Sequence, residues 1–218
     1  MSDQTDVIGV ASRFSPSQSG RVNMRLTQFA SQAMAQVEPP GYEMTRAGKR
    51  YNLCTLTTVT GLAPVQAVPT TTAHWVLWNP STTKSFVLET IGMYPASGTA
   101  GVGGQVLAAL TETPATAITA LATGCTVASA SLNGVASAAF IKANVTLPAN
   151  NGWFPVAETV SPNVGAYPGS GVIVNRNIAG KIIVPPLRGL ALATLALAGT
   201  TPLFVPILEW LEIVSDNE

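Results

Sequence analysis

From about residue 51 the chain is a succession of short runs rich in Val, Ile, Thr and aromatic residues, separated by clusters of Gly, Pro, Asn and Ser. Runs of this kind bounded by turn formers predict β-strands. They fall at 51–60, 73–78, 85–94, 105–113, 136–147, 171–175, 181–184, 190–197 and 203–214. Within the third run Val87, Glu89 and Ile91 alternate against Phe86, Leu88 and Thr90, the period of a sheet buried mainly on one face. Helical periodicity is missing between the runs, which argues against a parallel α/β sheet. The expected fold class is all-β, a jelly-roll-like β-sandwich.

Residues 1–50 read differently. The stretch 12–20 is Ser-rich and holds Pro16, so it reads as flexible. Leu26, Phe29, Ala30, Ala33 and Val37 then recur at helical spacing and predict one short helix over 23–36, ended by Pro39-Pro40-Gly41. A lone helix of this length is marginal in water and needs a surface to dock on. The chain is therefore expected to divide into an N-terminal arm, 1–50, and a sandwich domain, 51–218. Leu26, Phe29 and Met34 are the arm's candidate assembly contacts. Two passages of the body fit no single element. Residues 113–131 are Ala/Thr-rich and admit a helix, a strand pair or a long loop. Residues 150–170 hold Trp153, Phe154 and Tyr167 among Pro155, Pro162 and Pro168, and read as a long ordered loop carrying exposed aromatics. These three aromatics are further candidate interface residues. No internal repeat is found.

Charge sharpens this division. An average protein is about a quarter charged, whereas this chain is 10% charged with a formal net charge of zero. Between Tyr51 and Leu208 only Lys84, Glu89, Glu112, Lys142, Glu158, Arg176, Lys181 and Arg188 carry charge, and no aspartate stands between Asp6 and Asp216. A neutral body this apolar is prone to associate. Whole-chain disorder is not expected, because disordered chains combine low hydrophobicity with high charge. The opening Met1–Asp6 is polar and acidic, unlike a secretory signal. Residues 187–211 are apolar, but Pro202, Pro206 and Glu209 interrupt them, so a spanning helix is not expected. The aromatic girdles of a membrane barrel are absent too. No membrane partner is expected.

The same scarcity removes most side chains that an enzyme would use. His74 is the only histidine and lies in the apolar run Ala73-His74-Trp75-Val76-Leu77, where a structural strand residue is the expected role. A triad base there would have to be oriented by Glu89, Glu112 or Glu158, none of which sits in a recognisable motif. No pair of His or Cys has zinc-ligand spacing, and the acids stand too far apart for a calcium loop. Glu209 and Glu212 are three apart, an odd step that sends strand side chains to opposite faces. Gly98, Gly101, Gly103 and Gly104 are followed by Gln105-Val106 and a predicted strand, which fits a turn and not a phosphate loop. Gly169-Ser170-Gly171 lacks the flanking residues of a nucleophile elbow. The basic run Arg46-Ala47-Gly48-Lys49-Arg50 is short and reads as a solvated junction, so no strong nucleic-acid partner is expected. Cys54 and Cys125 sit among small or apolar residues, as buried thiols do, and sequence alone leaves their pairing open. Neither a cofactor, a metal nor catalytic activity is expected.

Several stretches together resemble the small jelly-roll virion structural proteins of tailed bacteriophages, which decorate or complete a capsid. They are Leu77-Trp78-Asn79-Pro80-Ser81, Lys84-Ser85-Phe86-Val87-Leu88, Ser97-Gly98-Thr99-Ala100-Gly101-Val102-Gly103, Gly180-Lys181-Ile182-Ile183-Val184-Pro185-Pro186 and Glu209-Trp210-Leu211-Glu212. The resemblance covers roughly residues 73–212. It implies a non-enzymatic capsid decoration, cement or minor capsid protein, located in the virion and assembled in the host cytoplasm. It further implies a homo-oligomer, a trimer or pentamer rather than a monomer, bound to other capsid proteins. A shell-forming coat protein and a carbohydrate- or receptor-binding module of a phage particle are the alternatives.

Overall fold

The computed structural model describes residues 8–9, 22–23, 25–26, 32–33, 42–55, 61–97, 104–112, 118–131, 136–149, 152–159, 174–196 and 203–214. The chain divides into two units, Met1–Glu43 and Met44–Glu218. In the first, β1 (Ile8–Gly9) pairs with β2 (Val22–Asn23), and β3 (Arg25–Leu26) pairs with β4 (Gln32–Ala33), both antiparallel. Of the helix expected over 23–36, the described residues lie instead in these short paired strands, and the rest lie outside the described residues. The helix that does form, α1 (Tyr42–Arg46), follows Pro39-Pro40-Gly41 instead of preceding it. It ends in a Schellman motif. Gly48 stands at φ 67, its N–H donates to Thr45 O at 2.9 Å, and Lys49 N–H reaches back to Met44 O at 2.9 Å. The basic run 46–50 is thus a helix cap running into the first body strand.

The second unit is built on two five-stranded antiparallel sheets. Sheet I runs β10 (Phe140–Thr146), β6 (Thr72–Trp78), β13 (Gly189–Ala196), β8 (Gly104–Thr111), β11 (Phe154–Thr159). Sheet II runs β12 (Val174–Val184), β7 (Lys84–Ser97), β14 (Leu203–Val214), β5 (Arg50–Thr55), β9 (Cys125–Ser129). Trp75, Leu77, Val106, Ala108, Leu190 and Leu192 of sheet I pack in one core with Tyr51, Phe86, Leu88, Ile91, Met93, Leu208 and Trp210 of sheet II. The body is therefore a β-sandwich, as its strand pattern predicts. Trp210 centres this core, with the rings of Tyr51 and Phe86 6.1 and 6.0 Å from its own. Each such side chain contributes about 1.5–3 kcal/mol by leaving water. The indole N–H groups of Trp75 and Trp210 are buried without a hydrogen-bond partner, which subtracts from that gain.

Sheet I is apolar on both faces. Its outer face carries Val76, Ala191 and Ala109 in one cross-strand row, packed in a second cluster with Ile118 and Leu147 and flanked by Trp78, Phe140 and Trp153. That is why β6 reads as a continuous buried run and not as an alternation. Directly opposite Trp78 stands Gly189, where a Cβ would come within 3.0 Å of the Trp78 ring and 3.1 Å of Val76 and Thr111.

Other departures from the predicted pattern have local causes. The alternation in β7 breaks at a bulge, because Glu209 faces Thr90 while Trp210 faces Leu88, leaving Glu89 unpaired as the extra residue. The two strands expected at 171–175 and 181–184 are one strand, β12, interrupted by an insertion around Ala179 and Gly180, both at positive φ. The strand β9 emerges from the ambiguous passage 113–131. The passage 150–170, expected to be a loop, contains β11 at residues 154–159. Pro155 is tolerated there because β11 is an edge strand.

The two crossovers β6→β7 and β12→β13 meet at one end of the sandwich on Asn79, which is fully buried. Its Nδ2 donates to Lys84 O at 2.7 Å, Pro185 O at 3.1 Å and Val184 O at 3.2 Å, and its Oδ1 accepts from Ser81 N–H at 3.1 Å. Its backbone N–H donates to Arg188 O at 2.9 Å, and Leu187 N–H to Ser81 O at 3.2 Å. Removing this amide strands the buried carbonyl of Val184 and the partly buried carbonyls of Lys84 and Pro185. Asn79→Ala is expected to lose about 3 kcal/mol in urea unfolding, whereas a surface substitution such as Thr82→Ala should change stability by less than about 0.5 kcal/mol.

Candidate functional site

His74 is the first candidate because any histidine chemistry must use it. It sits in β6 where β13 runs past the last β6 residue paired to it, Trp75 opposite Leu192. Beyond that pair the imidazole replaces the backbone ladder. Its Nδ1 accepts from Thr194 N–H at 3.0 Å, while Thr194 O accepts from Val65 N–H at 2.9 Å. An accepting Nδ1 requires the neutral ring with its proton on Nε2. Burial pushes the ring's pKa below its ordinary 6.5, in the same direction. The residue is 6% exposed and engaged in holding the sheet.

The carboxylates are engaged as well. Glu212 is 3% exposed, lies on the same side of β14 as Trp210, and accepts from Lys84 Nζ at 3.0 Å and from Ser137 Oγ. Glu209 accepts from Thr90 Oγ1 at 2.7 Å, and Asn52 donates to its other oxygen at 3.1 Å once the amide nitrogen faces the acceptors. The two acids thus keep separate partners on opposite faces of β14, as an odd step along a strand requires. Glu89 pairs with Arg50 at 3.6 Å and Glu112 with Arg188 at 3.4 Å. The latter pair is largely exposed and stabilises little. Tyr51 has its pKa raised by burial and secondarily by the charge of Glu212. Among the described residues no group of three or more His, Cys, Asp or Glu lies together for a metal.

Both cysteines are free thiols. They stand on neighbouring strands, but Cys54 faces Thr126 and Cys125 faces Thr55. A one-residue offset across a ladder puts the two side chains on opposite faces. Burial raises the Cys125 thiol pKa.

The candidate interface residues from the sequence are not brought together. Leu26 lies in β3, opposite Gln32, while Phe29, Met34 and Tyr167 lie outside the described residues. Trp153 is half-buried, packs on the outer cluster of sheet I and donates its indole N–H to Thr70 O at 3.3 Å. Phe154 opens β11 opposite Ala108, a residue of the inner core. The two neighbouring aromatics therefore make no common platform.

Sequence reasoning missed a different surface. Seven large apolar side chains are exposed among the described residues, and five share one end of the sandwich. Phe154 is the first residue of β11, Leu110 the last but one of β8, and Ile183 the last but one of β12. Leu187 lies in the β12–β13 connection and Val214 closes β14. This is the end at which Asn79 joins the crossovers. Phe154 is the one of the five that the sequence singles out; no single-residue signal marks the other four, because only the strand order places them together.

The role of His74 gives a pH dependence of definite sign. A folded pKa below 6.5 means that the contribution of His74 is fully present above 6.5 and is lost as pH falls through the lowered value. His74→Gln keeps an acceptor that does not titrate. The urea midpoint of the native chain should fall relative to that of His74→Gln as pH drops from 7 to 5. Parallel curves would contradict the assignment.

No helix among the described residues is long and apolar enough to cross a membrane. Comparison with known proteins gives no match: no family model, no curated protein and no solved structure is similar to this chain.

Proposed function

We propose that this protein is a non-enzymatic virion component: a capsid decoration, cement or minor capsid protein that self-associates and binds neighbouring capsid subunits. The observation that carries this reading is the gathering of Leu110, Phe154, Ile183, Leu187 and Val214 at one end of a charge-poor sandwich. Exposed apolar side chains gathered at one end mark a contact surface, and the exposed Arg188–Glu112 pair and Lys84 lie at the same end as its polar rim.

The strand pairing supports the jelly-roll form of the fold. A jelly roll winds eight strands as one long folded hairpin, so the first pairs with the eighth, the second with the seventh and the third with the sixth. Counted from β6 to β13, the pairs β6·β13, β7·β12 and β8·β11 follow this order. The fourth pair departs from it, since β9 pairs with β5 and β10 with β6. His74, Arg176, Glu209 and Glu212 are engaged in ladders and crossovers, which favours a role in assembly over chemistry.

Mass spectrometry and electron microscopy of virus particles purified from the source should find the chain at fixed stoichiometry on the shell. Its absence from such particles would contradict the proposal, and closed shells built by the purified chain alone would make it the coat protein. Leu110→Asp with Leu187→Asp should lower incorporation at least about tenfold, the factor that 1.4 kcal/mol makes, without changing the unfolding midpoint.

A further inference from the structure

A sandwich of two open sheets has four edges, and each edge strand exposes backbone groups able to pair with another chain. Three of the four are blunted here. β12 carries the insertion around Ala179 and Gly180 and two basic residues, Arg176 and Lys181. β11 carries Pro155 and a bulge at Val156, whose carbonyl accepts from Arg176 Nη1 at 2.8 Å. β10 has Asn144 at φ 53, includes Lys142, and gives Ile141 O to the Ala122 N–H at 2.7 Å. β9 shows none of these devices. Its five residues, Cys125-Thr126-Val127-Ala128-Ser129, are regular and free of proline, and no charged residue occurs from 113 to 141.

The ladder fixes which groups β9 offers. Ala130 N–H donates to Arg50 O at 2.8 Å, so Ala130 and Arg50 form a hydrogen-bonded pair. Pairs alternate along an antiparallel ladder, so Ala128 and Thr126 also direct their backbone groups to β5. Cys125, Val127 and Ser129 direct theirs outward. The Cys125 N–H confirms the phase, because it donates to Ala122 O at 3.0 Å, away from β5. Among the described residues, the N–H and C=O of Val127, the N–H and C=O of Ser129 and the C=O of Cys125 remain for a partner strand.

We propose that the β9 edge pairs with the β9 edge of a second copy of this chain, antiparallel about a two-fold axis at Val127. This arrangement is self-complementary. Val127 exchanges both backbone bonds with the partner's Val127, and Ser129 N–H donates to the carbonyl of the partner's Cys125. The exposed Thr126 and Ala128 face each other across the axis, and both are small and uncharged. Four hydrogen bonds join two sheets II into one ten-stranded sheet. A basic or acidic edge would repel its own copy; this one does not. The inference rests on the self-association reading and names one contact between copies on the sheet edge, not the apolar end; its two-fold geometry gives a dimer in place of the trimer or pentamer that the resemblance implies.

Proline substitution tests it selectively. Val127→Pro removes an outward N–H, as an edge strand tolerates, together with part of the Val127 packing on the core, which Val127→Ala measures by itself, while Ala128→Pro removes a bond to β5 and should destabilise the fold. Light scattering on the full chain should give twice the 22.5 kDa chain mass for the native protein and for Leu110→Asp, and the single-chain mass for Val127→Pro. Hydrogen exchange should show Ser129 N–H protected in the native protein and at least about tenfold faster in Val127→Pro, with the urea midpoint of that variant at the same dilution approaching that of Val127→Ala. A native monomer would overturn both the β9 contact and self-association. An oligomer unaffected by Val127→Pro would overturn the β9 contact alone and leave assembly through the apolar end.

Discussion

The sandwich depends on one buried side-chain amide. Chain leaving sheet I after Trp78 and chain returning to it before Gly189 pass each other at the same end, and Asn79 ties them together. Three carbonyls from two crossovers share its two amide protons, and the buried one, of Val184, would be costly to leave unpaired. Fixing that junction fixes both registers leading away from it, β6 against β13 and β7 against β12. Once these registers are set, Leu77 and Leu190 face the core from sheet I, and Phe86 and Leu88 face it from sheet II.

The same logic accounts for the few polar groups elsewhere in the body. His74 stands where β6 and β13 stop pairing and supplies the acceptor that the ladder lacks. Arg176 spans from the edge of sheet II to the carbonyl freed by the β11 bulge. Glu212 holds Lys84 beside the first turn of β7 and Ser137 ahead of β10. Asn79, His74 and Arg176 thus sit where regular pairing ends or is interrupted.

Much of this fold was legible in the sequence, for a physical reason. Strands such as 73–78, 190–197 and 203–214 carry continuous or alternating apolar runs that only a sheet buries well. β9 and β11 escaped notice because their signals are diluted: β9 is built from Cys, Thr, Val, Ala and Ser, and β11 contains Pro155. The helix expected at 23–36 shows the opposite error, since apolar spacing alone does not separate a helix from short paired strands. The separate fates of Glu209 and Glu212 followed directly from strand parity. The apolar end did not, because Leu110, Phe154, Ile183, Leu187 and Val214 are far apart in sequence and meet only through topology. The role of Asn79 was visible only as a turn, since its long-range carbonyl partners lie 105 and 106 residues away.

The most direct measurement is solvent exchange of the Asn79 side-chain amide protons, followed by nuclear magnetic resonance. If the crossovers are joined as described, both protons exchange only when the whole sandwich unfolds. Their protection then equals that of the backbone amides of Leu77 and Leu190. Rapid exchange of the Asn79 amide, with those backbone amides still protected, would contradict the account, because the frame would then stand without the junction said to hold it.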